Sequence, residues 1–194
     1  LQKISEALGD WKAPDDWYKR AIKEKNEWDA YVEKQSGPTN QEEPSYAHAV
    51  GAVYRNSDPS DIVVTAAGGL VGEVVQVWKP KQLNTFETEW GFSCMGYEIS
   101  GALGIKMAKP DQDVVVFVGD GSYLLNNTDI YSSVIYDQKL IIIVCDNGGH
   151  MVINRLQLAK GGKEYICNLR AARATNLKFV DFENHAKSMG ANAE

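Results

Sequence analysis

The chain has 194 residues, 44% hydrophobic and 24% charged, an ordinary balance for a folded domain that excludes disordered and collagen-like architectures. Its net charge of −6 excludes a non-specific nucleic-acid binder, which needs a basic face. The charge leaves room for one phosphorylated ligand held by backbone amides and a metal.

The first residues, Leu1 to Ser5, show neither an initiator methionine nor a signal-peptide pattern, and the expectation is a piece of a longer chain. Pro14-Asp15-Asp16, followed by Trp17, Ala21, Trp28 and Tyr31/Val32, predicts an amphipathic helix with proline in its first turn and acids near its positive end. Ser36-Gly37-Pro38-Thr39-Asn40 is a breaker cluster. Residues 1–44 therefore read as a helical lead-in and linker, and 45–194 as the main domain. Ser45 is placed to cap a helix carrying Tyr46, Ala49, Val50 and Val53. Three β-branched runs follow: Asp61 to Thr65 stops at Gly68-Gly69, Val114 to Val118 stops at Gly119-Asp120-Gly121, and Leu140 to Val144 stops at Asp146-Asn147-Gly148-Gly149. None alternates with period two, as expected of strands covered on both faces. Leu125 to Tyr136 is long enough for a crossover helix, and Asp181 to Met189 predicts another. The fold class is α/β, a doubly wound parallel sheet with helices on both faces.

No apolar run approaches the roughly 20 residues of a membrane helix, so no membrane is expected as a partner. Cys94, Cys145 and Cys167 form no CxxC pair. They predict reduced thiols in a cytoplasmic setting, neither a disulfide scaffold nor a zinc site.

In open α/β sheets ligands bind beyond the carboxyl ends of the strands. Gly119-Asp120-Gly121-Ser122 lets backbone amides approach an anion, and the helix behind it offers its positive end. An aspartate there would repel a phosphate unless a cation lay between them, and hard divalent cations take oxygen ligands. Asn147, ending the next strand, supplies an amide oxygen. Taken alone, the glycine string is equally a plain turn; with the asparagine it outlines a magnesium–diphosphate site.

That pairing resembles the thiamine diphosphate (ThDP) enzymes, whose signature is GDG, a spacer of this length and an asparagine. The resemblance implies Mg²⁺ ligation by Asp120, by Asn147 and by the Gly149 carbonyl. It implies diphosphate contacts from Gly119, Gly121 and Ser122, and a further one from Gly68-Gly69, where a simple turn is the alternative. Gly91 to Glu98 opens a predicted helix running through Ser100, Gly101 and Gly104. By itself Met95 reads as a core gap-filler. In the family, the large apolar residue here wedges between the two cofactor rings, and the Ser93 carbonyl and Met95 amide meet the aminopyrimidine edge. Small residues at 96, 100 and 104 suggest a helix face suited to close packing in a homodimer or homotetramer.

Glu89 to Ile99, Gly119 to Leu124 and Ile153 to Gln157 narrow the likeness to the branch that hydrolyses trihydroxycyclohexanedione, a cyclic 1,2-diketone of myo-inositol catabolism. Carboligases of the acetolactate-synthase type share the metal and diphosphate strings but more usually open the helix with GAMGFG. One departure is Gly149-His150-Met151, where an aromatic is expected after the glycine. His150 is read as a solvent-exposed loop residue, with proton transfer as the alternative. His48 and His185 read as surface or structural, and Glu87 and Glu89 as a solvated acidic loop, with a position facing substrate as the alternative. In this family the activating glutamate lies in an N-terminal pyrimidine-binding domain of the neighbouring subunit, and no stretch here matches that domain. The chain is also expected to stop short of a further strand and helix. Alone, it is expected to be inactive, no more than a cofactor-binding module.

Overall fold

A computed structural model describes residues 1–171 and 180–194. The chain opens on two helices, α1 (Gln2–Leu8) and α2 (Asp15–Ser36). Pro14 stands at the start of α2 with Asp15 and Asp16 in its first turn, where carboxylates favour the positive end of the helix dipole. Its aromatic residues do not form a buried stripe: Trp17, Tyr18, Trp28 and Tyr31 are exposed, and Val32 and Ser36 are the buried positions. The helix is anchored through its last turn. There Val32 joins Val50, Val74 and Val77, and Arg55 donates to the Ser36 carbonyl at 2.7 Å. Gly51 permits this approach, since a Cβ on it would lie 2.1 Å from the Ser36 oxygen.

α3 (Tyr46–Asn56) begins as predicted. The Ser45 hydroxyl accepts the His48 N–H while His48 Nδ1 accepts the Ser45 N–H, a reciprocal capping box. The remaining elements are β1 (Ile62–Thr65), α4 (Gly68–Val77), β2 (Phe86–Thr88), α5 (Tyr97–Ala108), β3 (Val114–Gly119), α6 (Asp120–Leu125), α7 (Asp129–Ile135), β4 (Ile141–Cys145), α8 (Met151–Ala159), a 3₁₀ turn at Leu169–Ala171 and α9 (Phe182–Ser188). The four strands run in the order β2-β1-β3-β4 and are all parallel, with Val63 beside Phe86, Ile62 beside Val114 and Val115 beside Ile141.

Successive side chains on a strand point to opposite faces, and the core divides accordingly. Val63, Val115 and Phe117 pack on one face with Val50, Leu70, Val74 and Trp78 from α3, α4 and the residue after it. Ile62, Val64, Val114, Val116 and Val118 pack on the other with Ile99, Ala102, Tyr123 and Ile130 from α5, α6 and α7. This is the doubly wound arrangement expected. β3, apolar and buried from Val114 to Val118, is its centre, each such side chain contributing roughly 1.5–3 kcal/mol.

The structure corrects four local expectations. Among the described residues β4 ends the sheet order, and its faces are thinly covered: Ile141 is exposed and Ile142 to Val144 are half-buried. The helix expected over 125–136 is split. Asn126 donates to Gly96 O and Ser100 Oγ, and Asn127 to Tyr123 O, so their amides compete with the backbone and separate α6 from α7. α5 begins at Tyr97, because Gly96 sits at φ +93°, outside helical space. The small-residue face is partly filled from within the chain: Asn126 covers Gly96, Ser100 donates to Asp129, and Gly104 has no neighbour on its Cβ side.

Candidate functional site

The sheet order reverses between β1 and β3, so the loops leaving their carboxyl ends diverge and leave a crevice. The cleft there, about 370 Å³, is walled by the loop after β1, the loop before α5, the start of α6, and the loop joining β4 to α8. All ten residues singled out from the sequence line it: Gly68 and Gly69; Ser93 and Met95; Gly119, Asp120, Gly121 and Ser122; Asn147 and Gly149.

β3 passes directly into α6, which puts Asp120 at the helix start with its side chain 2% exposed. Its Oδ2 accepts the Gly149 N–H at 2.6 Å, tying the ends of β3 and β4 together. Burial holds the Asp120 carboxyl above the usual carboxylate range, and the neighbouring Asp146 carboxylate adds to this; the N–H groups of Gly121 and Gly149 pull the other way. Asp146 in turn accepts the Gly148 N–H at 2.8 Å. At Gly121 the absent side chain lets two neighbours close in. A Cβ would lie 2.7 Å from His150 Nδ1 and 3.3 Å from the Met95 methyl. His150 is exposed, as expected, with its ring laid on this glycine.

Asn147 Nδ2 donates to the Tyr46 hydroxyl at 2.5 Å, and that hydroxyl donates to the Cys145 carbonyl at 3.4 Å. Asn147 Oδ1 is buried with no partner. Burial, reinforced by nearby acidic groups, pushes the Tyr46 phenol up to about 12 and the Cys145 thiol up to about 12. Gly149 has φ +135°, and a Cβ there would lie 2.4 Å from the Cys167 carbonyl. Bridging to Asn168, the His150 N–H on Cys167 O and the Leu169 N–H on Gly148 O hold this turn in place.

The loop carrying Ser93 and Met95 is organised by two glutamates. Glu89 stays on an exposed loop, as expected, and in addition accepts the N–H groups of Phe92 at 3.1 Å and Cys94 at 2.8 Å. Glu98, 1% exposed, accepts the Gly96 N–H at 2.9 Å and the Ala67 N–H at 3.4 Å, joining the Met95 loop to the Gly68 loop. Glu87 lies in β2. His48 serves the α3 cap, and His185 pairs with the Tyr123 hydroxyl at 2.9 Å. Sequence reasoning missed Tyr46, Glu98 and Asp146 as site residues. A carboxylate directly before Asn147 was the one visible signal among the three.

These donors suit a hard divalent cation. A buried amide oxygen without a partner carries an unmet electrostatic demand, and a buried carboxylate and the Gly149 carbonyl stand in the same loops. No group of three or more His, Cys, Asp or Glu side chains able to hold a metal occurs among the described residues. A cation at this point would accordingly draw its remaining ligands from backbone, amide and ligand oxygens, as magnesium does with phosphates.

Comparison with known proteins bears on the same loops. The profile of the family described as "Thiamine pyrophosphate enzyme, C-terminal TPP binding domain" matches residues 66–194, from the residue after β1 onward. A protein of Lacticaseibacillus casei named 3D-(3,5/4)-trihydroxycyclohexane-1,2-dione hydrolase is 39% identical over 169 residues, covering 87% of this chain and 26% of the relative. Proteins of the same name from Halalkalibacterium halodurans (40% over 134 residues; 69% and 21% covered) and Geobacillus thermodenitrificans (34% over 194 residues; 88% and 30% covered) are similar in the same way. The chain thus spans between a fifth and a third of the length of these relatives. The matched segment contains every residue lining the cleft except Tyr46, and the chain belongs to the thiamine pyrophosphate enzyme family and carries its C-terminal TPP-binding domain.

Proposed function

We propose that residues 45–194 form the pyrophosphate-binding domain, with 1–44 as lead-in, of a cytoplasmic ThDP- and Mg²⁺-dependent hydrolase. Its substrate is a cyclic 1,2-diketone, 3,5/4-trihydroxycyclohexane-1,2-dione, cleaved at a ring carbon–carbon bond in inositol catabolism. The observation that carries the cofactor reading is the buried, unpartnered Asn147 Oδ1 beside Asp120 in a cleft lined by glycines. The substrate rests on the names of the relatives.

In this reading Asp120, Asn147 Oδ1 and the Gly149 carbonyl hold Mg²⁺. Backbone groups at Gly119, Gly121 and Ser122, with Gly68 and Gly69 opposite, receive the diphosphate; Ser93 and Met95 meet the aminopyrimidine. Bound in this cleft, ThDP would supply nucleophilic-carbon and electron-sink chemistry. The chain's own contribution is to neutralise, orient and shield. The glycine walls admit close backbone contact, Met95 fixes the ring end, and the Glu89 and Glu98 hydrogen bonds hold the Met95 loop in register with the diphosphate loops. The activating glutamate comes from a pyrimidine-binding domain of a neighbouring subunit, which makes the active assembly at least a dimer.

The test is turnover by the protein that carries this domain, assayed with ThDP and Mg²⁺ on the cyclic diketone and, separately, on pyruvate. Ring opening of the diketone is the expected result. Acetolactate formation without diketone turnover would replace this reading by that of a carboligase.

A further inference from the structure

An asparagine that ligates a cation must present its oxygen. Its two amide ends are nearly equal in size, and the flipped amide would turn an NH₂ group, two donors and no acceptor, toward the metal. Asn147 is the residue of the cleft for which this choice arises, and packing alone does not make it. The neighbour that distinguishes the ends is Tyr46. Its hydroxyl lies 2.5 Å from Asn147 Nδ2 and directs its own proton to the Cys145 carbonyl at 3.4 Å. A hydroxyl so engaged offers the amide a lone pair, and a lone pair selects N–H. Asn147 Oδ1 is consequently turned away from Tyr46 and is buried with no protein partner.

The placement of Tyr46 is itself rigid. It is the first residue of α3, directly behind the reciprocal Ser45–His48 cap, and its ring packs against the core cluster around Val50 and Val74. The hydroxyl is at once a donor to Cys145 O and an acceptor for Asn147.

We propose that Tyr46 is a positioning residue that locks the Asn147 amide with its oxygen toward the cation site. This rests on the reading of Asn147 as a Mg²⁺ ligand. Tyr46 touches neither the metal nor the substrate in this scheme, and acts through the amide.

The experiment is a titration of Mn²⁺, followed by electron paramagnetic resonance, into the protein carrying this domain in the presence of saturating ThDP. Tyr46→Phe deletes the hydroxyl and keeps the ring. Removing an outer hydrogen-bond partner of a metal ligand typically weakens metal affinity by about 10- to 100-fold, and that loss is expected here. A carboxylate offers oxygen at both ends and needs no such selection, so in an Asn147→Asp background the added Tyr46→Phe change should alter affinity by no more than about twofold. A merely structural effect of Tyr46→Phe would weaken binding equally in both backgrounds, and that outcome overturns the proposal. So does wild-type affinity in Tyr46→Phe when Asn147→Ala has lost Mn²⁺ binding. Equal affinity of wild type and Asn147→Ala would instead remove the metal site, and the role of Tyr46 with it.

Discussion

Asp120→Asn separates the two demands placed on this carboxylate. The substitution keeps an oxygen to accept the Gly149 N–H, now 2.6 Å from Oδ2, so the tie between β3 and β4 survives. It removes a charge from a side chain that is 2% exposed and faces the Asp146 carboxylate. Without a cation, wild type holds a desolvated charge against a like charge, and the variant is expected to melt at a higher temperature. The advantage depends on pH in a definite direction. The folded carboxyl titrates above its ordinary value of 3.8, so the wild-type deficit is absent in acid below that value. It grows as the pH rises toward the folded value and is complete above it. With Mg²⁺ and ThDP the order reverses, because the variant lacks the one carboxylate assigned to the cation. Charge-assisted contacts contribute about 1.5–3 kcal/mol, which corresponds to roughly ten- to hundredfold weaker Mg²⁺-dependent ThDP binding. Differential scanning calorimetry of both proteins, with and without Mg²⁺ and ThDP, reads the crossing directly. Unchanged ThDP affinity would refute the metal site, and a variant less stable without ligand would refute the electrostatic argument.

Gly149→Ala places a methyl group 2.4 Å from the Cys167 carbonyl at a φ of +135°, where backbone strain alone costs about 1–3 kcal/mol, so urea denaturation should show a clear loss of stability; an unmoved midpoint would contradict the geometry. Glu98→Ala orphans the buried N–H groups of Gly96 and Ala67 and should destabilise by about 1–3 kcal/mol, with faster hydrogen exchange at those two amides as the local signature. Toward a thiol reagent at pH 8 under native conditions, exposed Cys94 should react while buried Cys145, its thiol pushed up to about 12, stays inert until unfolding. Glu89, which raises the Cys94 thiol through a hydrogen bond, predicts that Glu89→Gln accelerates labelling; an unchanged rate would count against that contact.

Where the sequence was legible, local chemistry and tertiary role coincided. The runs ending at Thr65 and Val118 are strands because continuous β-branched residues suit a pleat covered by helices; the run ending at Val144 forms a strand on the same residue types with less cover, and each run stops shortly before glycines. The Gly119–Ser122 string and Asn147 were likewise readable as strand-end loops, and the fold brings both to the wall of one cleft. β2 left no such trace: Phe86-Glu87-Thr88 is a three-residue edge, half-buried, with no apolar run to mark it. The split between α6 and α7 depends on Asn126 reaching Gly96 and Ser100, contacts set by tertiary packing. Tyr46 meets Asn147 from 101 positions away, and Glu98 joins two loops that only the folded sheet brings together. Such residues carry site geometry through distant partners, and nothing in their own neighbourhood announces it.

The all-parallel ladder has a kinetic consequence. No two of these strands can pair through a tight hairpin, because a parallel partner always lies beyond a crossover. Val63 must find Phe86, Ile62 must find Val114, and Val115 must find Ile141, and the central β1–β3 pairing closes the longest of these loops. Chain entropy lost in such closures is recovered late, which slows folding and prolongs exposure of the Val114–Val118 and Leu140–Val144 runs. Those runs are β-branched, uncharged and free of proline, the composition that favours intermolecular strand association. Refolding yield should therefore fall steeply with protein concentration. The cleft draws its walls from loops at the ends of all four strands, so it is fully assembled only when the slowest of these pairings is complete.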